Sequence, residues 1–267
     1  MSILKDKKQT INSIQDKKNV EKITMITAYD TLFAKIFDES VDMILVGDSL
    51  SMSFGGDDDT LKISLEEMIY HTKAVCKGAK NALIVFDMPF GTYTNKEKAL
   101  KNAIKVYKNT KAHAIKIEGG EDKAEIIKHL TQNGIAVVAH IGLLPQNVRS
   151  EGGYKVKGRN ESEAKQLKKD AKAVEKAGAF CVVLEGIKSQ VATQISKSLQ
   201  VPTIGIGAGN GTDGQVLVWS DAFGFFEDFK PKFAKRYLEG GRLVRDALNS
   251  YIKEVKDGTF PDAKHSY

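Results

Sequence analysis

The chain has few cysteines and no long uncharged apolar run, and these two absences exclude several classes of protein. Only Cys76 and Cys181 occur among its 267 residues, which is too few for the disulfide framework of a small secreted domain. Cys181 lies in the apolar run 179–184, where a buried thiol is expected. No hydrophobic run approaches the roughly 20 residues that a membrane span requires. We therefore expect a cytoplasmic protein that is neither exported nor inserted into a membrane.

The charge is only weakly one-sided. There are 40 Lys plus Arg against 34 Asp plus Glu, for a formal net charge of +6. Such a surplus is much weaker evidence for nucleic-acid binding than a clustered basic face. The lysines of segment 165–176 are interspersed with Asp, Glu, Ala and Val, as on a solvated helix face. We expect no nucleic-acid partner, although a non-catalytic anion- or RNA-binding protein stays as an alternative that predicts strongly salt-dependent binding.

Short apolar runs alternate with longer helical patterns along the chain. The runs cover residues 23–28, 43–47, 83–86, 112–117, 135–139, 181–184, 201–206 and 215–218. Their hydrophobicity is continuous, which indicates strands buried on both faces, as in a parallel sheet covered by crossover helices. At this chain length the pattern predicts an α/β fold, a (β/α)8 TIM barrel with additional terminal helices, as a single catalytic domain over residues 1–267.

Helical spacing is clear at residues 64–77, where Ser64 is placed as an N-cap, and at residues 96–108. Asn12 or Ser13 is expected to cap a short opening helix. Near the end of the chain an apolar stripe predicts terminal helices that pack on the outside of the barrel. The stripe consists of Leu243, Val244, Ala247, Leu248 and Ile252.

Segment 145–159 is rich in Gly, Lys and polar residues and predicts a long loop without helix or strand. It could be an active-site lid or a solvated connection. The sequence GNGTDG at 209–214 fits the dinucleotide-binding pattern, but the strand-like QVLVW follows it where a helix is required. We interpret it as tight turns.

Polar side chains come directly after the predicted strands, and most of them are acidic. They are Asp48, Asp87, Glu118, Glu185 and His140. A single acid at a strand end is ordinarily a helix cap or an ion-pair partner, but the strand ends of a barrel converge on one mouth. Four carboxylates there would repel each other unless a cation lay among them. Oxygen ligands without a Cys or His cluster of zinc spacing favour Mg²⁺.

A series of motifs runs along nearly the whole chain. They are TAYD at 27–30, VGDSLSM at 46–52, FDMPF at 86–90, IKIEGG at 115–120, AHIGLLPQ at 139–146, GGYKVKGR at 152–159, VLEG at 183–186, IGIGAGNGTDGQ at 204–215, PKFAKRY at 231–237 and the terminal HSY. In sequence and order they resemble the ketopantoate hydroxymethyltransferase family. Ser51 and Gly186 depart from it, since glycine and cysteine respectively are common there, but neither change removes a functional group.

The resemblance implies a barrel of the phosphoenolpyruvate/pyruvate superfamily and a homodecamer of two pentameric rings. The implied reaction transfers a hydroxymethyl group from 5,10-methylenetetrahydrofolate, as co-substrate, to 3-methyl-2-oxobutanoate. The product is 2-dehydropantoate (ketopantoate), in pantothenate and hence coenzyme A biosynthesis. A folate-independent, Mg²⁺-dependent lyase or mutase of the same superfamily is the alternative.

The resemblance also implies roles for individual residues. Asp48 and Asp87 would bind both Mg²⁺ and substrate, and Glu118 would be a further metal-site carboxylate. Ser49 and Lys116 would hold the oxo acid, with Lys116 adding positive charge beside the developing enolate or simply neutralising Glu118. Glu185 would be the general base. His140 could orient Glu185, touch the substrate, or be a structural residue of its strand.

Overall fold

The structure is a computed structural model that describes residues 8–227 and 231–267. It divides into two compact units, one ending at Val218 and one beginning at Trp219. The predicted single domain includes residues 1–7 and 228–230, which lie outside the described residues, and it stays a prediction.

The first unit is a closed parallel barrel, which confirms the predicted (β/α)8 fold. Across the described residues the strands pair in chain order, and the eighth pairs in parallel with the first. The strands are β1 (Ile23–Thr27), β2 (Met43–Val46), β3 (Leu83–Asp87), β4 (Ala114–Glu118), β5 (Val137–Gly142), β6 (Cys181–Glu185), β7 (Thr203–Ile206) and β8 (Gly214–Leu217). Each overlaps a predicted strand. Most strand residues are buried, as continuous hydrophobicity requires.

The described residues form eleven helices, and those at the stretches 64–77 and 96–108 confirm the helices predicted there. They are α1 (Ile11–Gln15), α2 (Thr31–Asp38), α3 (Leu50–Ser53), α4 (Leu65–Gly78), α5 (Lys96–Asn109), α6 (Ala124–Gln132), α7 (Val148–Glu151), α8 (Glu161–Lys176), α9 (Ser189–Ser198), α10 (Trp219–Ala222) and α11 (Gly240–Asp257), with 3-10 turns at Glu121–Lys123 and Pro145–Asn147. Ser64 is the N-cap of α4, as predicted, and forms a capping box with Glu67.

The cap predicted for the opening helix was wrong. Neither Asn12 nor Ser13 caps α1; Thr10 does, because its extended backbone lets its hydroxyl accept from the Ser13 N–H at 3.1 Å. The Ser13 hydroxyl in turn accepts from the Thr10 N–H at 2.8 Å. This helix places Ile14 in the core cluster beside Ile23, Met43 and other strand residues, at the end of the barrel where the strands begin.

The connection from β7 to β8 contains no helix within the described residues. Residues 207–213 link the two strands, and β8 begins at Gly214. Gly211 passes so close to α9 that a Cβ atom there would lie 1.9 Å from the Thr193 hydroxyl oxygen. The interpretation of GNGTDG as tight turns stays a prediction, since residues 209–213 are irregular; a strand and not a helix follows them, so the context of a dinucleotide site is absent from this part of the chain.

Segment 145–159 is more ordered than predicted. The prediction of neither helix nor strand was wrong for its first half, where a 3-10 turn at Pro145–Asn147 leads into α7. Gly152 then ends α7 in the left-handed conformation, with φ of 66°. The remainder is irregular apart from one bridge between Lys157 and Ile187. Whether the segment acts as a lid stays a prediction.

The second unit contains α10 and the long amphipathic helix α11. The predicted terminal helices are therefore present. The apolar stripe of α11 is exposed rather than buried: it comprises Leu243, Val244, Ala247, Leu248 and Ile252. Among the described residues, no helix combines the length and the apolar character needed to cross a bilayer.

Candidate active site

The polar residues picked out in the sequence lie at the carboxyl ends of neighbouring strands. Asp48 follows β2, while Asp87, Glu118 and Glu185 are the last residues of β3, β4 and β6. His140 lies within β5, paired with Glu118 on β4. The sequence predicted all five residues just after their strands, but four of the five belong to the strands themselves. Their backbones are therefore fixed by the barrel's hydrogen bonds.

Lys116 is the buried cation of this site. Its Nζ lies 2.7 Å from Asp87 Oδ1 and 3.6 Å from Glu118 Oε1. Burial alone lowers the pKa of Lys116, but the charges of Asp87, Glu118 and Asp48 outweigh it, and the pKa is raised. The expectation that Lys116 neutralises Glu118 therefore needs refinement, because its hydrogen bond goes to Asp87.

Asp48 and Asp87 lie side by side. The Asp48 N–H donates to Asp87 Oδ2 at 3.2 Å, and both side chains are buried. Burial, followed by the charges of Asp87 and Glu118, raises the pKa of Asp48 well above its ordinary value. Burial also raises the pKa of Asp87, although Lys116 opposes the shift. The site therefore holds more negative charge than its buried lysine can balance.

His140 lies between two carboxylates. Its Nδ1 is 3.4 Å from Glu118 Oε1 and its Nε2 is 3.2 Å from Glu185 Oε2. Burial and the charge of Lys116 lower the pKa of His140, but hydrogen bonding to Glu118 and Glu185 raises it to about 9. Glu185 differs from the other acids in being partly exposed. His140 is thus the group that connects Glu185 to the buried carboxylates.

Ser49 faces the same region from the start of α3. It is the N-cap residue of this helix, but its side chain makes no capping hydrogen bond. Its hydroxyl lies 2.8 Å from the hydroxyl of Tyr29, which is fully buried. The Ser49 hydroxyl therefore contacts Tyr29, which follows β1, while the Ser49 carbonyl oxygen accepts from the Ser53 N–H of α3.

The sequence reasoning missed two residues of this network. Gln146 donates from Nε2 to Asp48 Oδ2 at 2.8 Å, and Tyr93 donates to Gln146 Oε1. Both residues are buried. Gln146 ends the motif AHIGLLPQ, but a neutral side chain in a polar segment carries no signal of burial, so only the fold could reveal it.

The fit of this site to Mg²⁺ depends on donor chemistry. Within residues 8–227 and 231–267, no group of three or more His, Cys, Asp or Glu side chains is arranged as a metal site. Mg²⁺ is usually held by one or two carboxylates together with substrate oxygens and water. The Asp48 and Asp87 pair could provide the carboxylates. Glu118 Oε1 is buried and has only long polar contacts, at 3.4 Å to His140 Nδ1 and 3.6 Å to Lys116 Nζ. The oxygen donors and the excess negative charge fit a divalent cation, and the metal roles of Asp48, Asp87 and Glu118 stay predictions.

Glycine suits the backbone at the position after Glu185, where the chain departs from the family motif. Gly186 has φ of +57°, and a Cβ atom there would lie 2.9 Å from the Leu143 Cβ. Glycine adopts this left-handed conformation at little cost, so the backbone that carries Glu185 is relaxed in this chain.

Comparison with known proteins gives consistent results. The family model for ketopantoate hydroxymethyltransferase matches residues 8–263. A 3-methyl-2-oxobutanoate hydroxymethyltransferase of Aliarcobacter butzleri is 61% identical over 269 residues and covers 100% of both chains. One from Sulfurimonas denitrificans is 63% identical over 261 residues, covering 98% of this chain and 99% of the relative.

Solved structures with the same fold are much more distant in sequence. A phosphonopyruvate hydrolase in complex with oxalate and Mg²⁺ matches with a TM-score of 0.62 and 14% identity, covering 96% of this chain and 93% of the other. A 2,3-dimethylmalate lyase of the PEP mutase/isocitrate lyase superfamily matches with a TM-score of 0.59 and 18% identity, covering 96% and 91%. At these identities the likeness shows a shared barrel fold and no more.

Proposed function

The chain belongs to the ketopantoate hydroxymethyltransferase family, and we propose that it transfers a hydroxymethyl group from 5,10-methylenetetrahydrofolate to 3-methyl-2-oxobutanoate. The product would be 2-dehydropantoate (ketopantoate), in pantothenate biosynthesis. The observation that carries the proposal is a buried lysine among three carboxylates, with a fourth carboxylate, Glu185, held beside them by His140. Full-length relatives named for this activity support it.

The reaction must remove a proton from the carbon next to the ketone of the oxo acid. That C–H bond is weakly acidic, so the negative charge that develops on the enolate oxygen has to be stabilised. Lys116 supplies a buried positive charge, and its raised pKa keeps it protonated at neutral pH. We assign Lys116 and Ser49 to holding the oxo acid, because Lys116 donates to Asp87 and Ser49 directly follows Asp48 in the chain.

Glu185 is the proposed general base. It is the most exposed of the four carboxylates, so a substrate in the mouth could reach it. His140 Nε2 lies beside Oε2, which leaves Oε1 to take the proton. Glu118, on the other side of the imidazole, fixes the ring orientation. We therefore assign His140 to orienting Glu185. A general base of this kind contributes on the order of 10²–10⁴-fold.

Asp48 and Asp87 would hold Mg²⁺, and Glu118 would complete the negative charge around it. When bound, the ion would act as a Lewis acid on the substrate carbonyl. Asp87 is oriented by two donors, since Oδ1 accepts from Lys116 and Oδ2 from the Asp48 N–H.

The test follows deuterium exchange at C3 of 3-methyl-2-oxobutanoate, with and without Mg²⁺, in the native chain and in Glu185→Gln. We expect metal-dependent exchange that the variant loses by about 10²–10⁴-fold. Glu125→Gln, the same change on the exposed face of α6, is the control and should exchange at the native rate. Native-rate exchange by Glu185→Gln would exclude it as the base.

The same assay separates the alternative reaction class. A lyase or mutase of the superfamily would handle an oxo acid without folate. We expect the native chain to form ketopantoate only when 5,10-methylenetetrahydrofolate is present. Exchange without any ketopantoate in the complete mixture would favour the folate-independent class.

We also propose a homodecamer that works in the cytoplasm. The exposed apolar stripe on α11 supports an assembly, because apolar patches of this kind mark contact surfaces. Both cysteines are buried and free, in keeping with a reducing compartment. Analytical ultracentrifugation should give a decamer, and the double change Val244→Glu with Leu248→Glu should reduce its size. A native monomer would contradict the proposal.

A further inference from the structure

We infer that Gln146 is a positioning residue that ties the segment following β5 to the metal-site carboxylates Asp48 and Glu118. The inference rests on the proposed function, since it concerns how that site is held together. It adds a role for a residue outside the set Asp48, Ser49, Asp87, Lys116, Glu118 and Glu185.

Gln146 contacts both carboxylates through different atoms. Its side-chain Nε2 donates to Asp48 Oδ2 at 2.8 Å, and its backbone N–H donates to Glu118 Oε2 at 3.1 Å. Asp48 follows β2 and Glu118 ends β4, so the two acids come from strands that are not neighbours. One buried residue therefore links acids that the barrel itself does not connect directly.

The orientation of the Gln146 amide is fixed by its other partners. The Met88 carbonyl oxygen can only accept, and it lies 2.9 Å from Nε2. The Tyr93 hydroxyl donates to Oε1, and burial followed by the charge of Glu118 raises the pKa of Tyr93, so the hydroxyl keeps its proton. The NH₂ group must therefore face Asp48, and the Asp48 oxygen must accept.

The same segment is anchored again one turn later. Arg149 Nε donates to Asp59 Oδ2 at 3.0 Å, and its NH2 group lies 2.9 Å from the same oxygen. Asp59 belongs to the segment between α3 and α4, and Asp48 lies just before α3. The part of the chain that holds Gln146 thus contacts the Asp48 side of the mouth at two points. Displacing it would release Asp48 and Glu118 together.

A positioning role and a purely structural role for Gln146 predict different effects on cation binding. If Gln146 only filled space, its loss would lower stability and leave cation affinity unchanged. If it positions the carboxylates, its loss would lower cation affinity, because partners that orient metal ligands typically contribute about 10–100-fold in affinity.

The experiment measures Mn²⁺ binding to the full chain by electron paramagnetic resonance of the free ion, without substrate or turnover. Gln146→Met keeps the side-chain length, removes the side-chain amide bonds to Asp48, the Met88 carbonyl and Tyr93, and retains the backbone N–H that donates to Glu118. We expect its Mn²⁺ affinity to fall by about 10–100-fold. Gln166→Met is the matched control on α8, where the amide donates to Asp170 on the surface, and it should bind Mn²⁺ as the native chain does.

A second variant keeps the inference testable if Gln146→Met fails to fold. Tyr93→Phe leaves Gln146 in place and removes only the hydroxyl that orients its amide. We expect a smaller loss, about 3–10-fold, which scales with one lost hydrogen bond of about 1 kcal/mol. Native Mn²⁺ affinity in a folded Gln146→Met, with or without lower thermal stability, would overturn the inference. If that variant is unfolded, native affinity in Tyr93→Phe would overturn it.

Failure of the inference and failure of the proposed function give different results. A native chain that binds no Mn²⁺ overturns the role of Gln146, whatever its activity. A native chain that binds Mn²⁺ with the expected loss in Gln146→Met, but neither exchanges C3 deuterium nor makes ketopantoate, supports the inference and overturns the function.

Discussion

The two ends of the barrel use buried aspartates in opposite ways. Asp213, just before β8, lies at the end where the strands begin, and Asp48 lies at the end where they finish. Both side chains are buried, yet the pKa of Asp213 is lowered while that of Asp48 is raised well above its ordinary value. The difference shows that burial alone does not decide the state of a carboxylate; its partners do.

At the beginning of the strands the buried aspartates Asp38, Asp42 and Asp213 are matched by donors. Asp213 Oδ2 accepts from Lys18 Nζ at 2.7 Å, and from the Thr203 N–H and the Thr203 hydroxyl at 2.8 Å each. Asp38 likewise accepts from the backbone N–H groups of Asn81 and Ala82. This end fastens α1, α2 and the strand starts to each other, which is a stabilising function.

At the carboxyl end the acidic groups outnumber the basic ones. Asp48, Asp87 and Glu118 surround the single lysine Lys116, and their mutual repulsion is retained in the folded chain. An arrangement that costs stability in this way is typical of an active site. The predictions below test this contrast, from the largest expected effect to the smallest.

Asp213→Ala should destabilise the protein most. It leaves Lys18 buried without its partner, and breaking one side of a buried ion pair costs about 3–5 kcal/mol in free energy of unfolding. Urea denaturation at fixed protein concentration measures it. Lys169→Ala breaks an exposed pair with Glu121 and should cost about 1 kcal/mol or less. Equal losses of unfolding free energy in the two variants would contradict the stabilising role of the buried Asp213 pair.

Asp48→Asn should act in the opposite direction on stability and strongly on activity. It removes a buried negative charge that Asp87 and Glu118 repel, so the melting temperature of the metal-free protein should rise. Ketopantoate formation should fall by about 10²–10³-fold, because Asp48 is a proposed ligand of Mg²⁺ and such an ion would contribute several kcal/mol to catalysis. A variant that is less stable than the native chain would show that Asp48 is not under electrostatic strain.

Stability at acid pH should depend on Asp213. Burial raises its pKa, but the hydrogen bonds from Lys18 and Thr203 outweigh burial and lower it below the ordinary value of about 3.9. The stabilisation is therefore complete above that value and is lost as the pH falls through the lowered pKa. We expect the difference in unfolding free energy between the native chain and Asp213→Asn to shrink from pH 6 to pH 3. A difference that stays constant with pH would show that the ionised Asp213 carboxylate does not supply this stabilisation.

Ser51→Ala should have the smallest effect. The Ser51 hydroxyl donates to Asp57 Oδ2 at 2.7 Å, and Asp57 also pairs with Lys62 at 2.6 Å. The change removes this one hydrogen bond, which contributes about 0.5–1.5 kcal/mol to the free energy of unfolding. Denaturation should detect this, with ketopantoate formation near the native rate. A loss of activity as large as that of Asp48→Asn would give Ser51 a role in the site.

Prediction from sequence succeeded where a signal is repeated along the chain. The continuous apolar runs located the eight strands in the described residues, and Ser64 identified the start of α4. It failed at α1, where three polar residues, Thr10, Asn12 and Ser13, could each serve as a cap and only the local backbone selects one. It also failed in segment 145–151, because short turns and helices have too few residues for a periodic pattern.

By itself, the sequence determined the barrel and the order in which its acids follow the strands. Hydrophobic runs, and the acids that follow them, can be recognised in a short stretch of sequence without knowledge of contacts elsewhere in the chain. Only the tertiary structure decided which acid meets which cation: Lys116 bonds to Asp87 and lies farther from Glu118, its neighbour two residues on. The tertiary structure also decided that Gln146 bonds to Asp48. The contact with Asp48 and the contact of Lys116 with Asp87 both depend on distances between side chains that are far apart in the sequence.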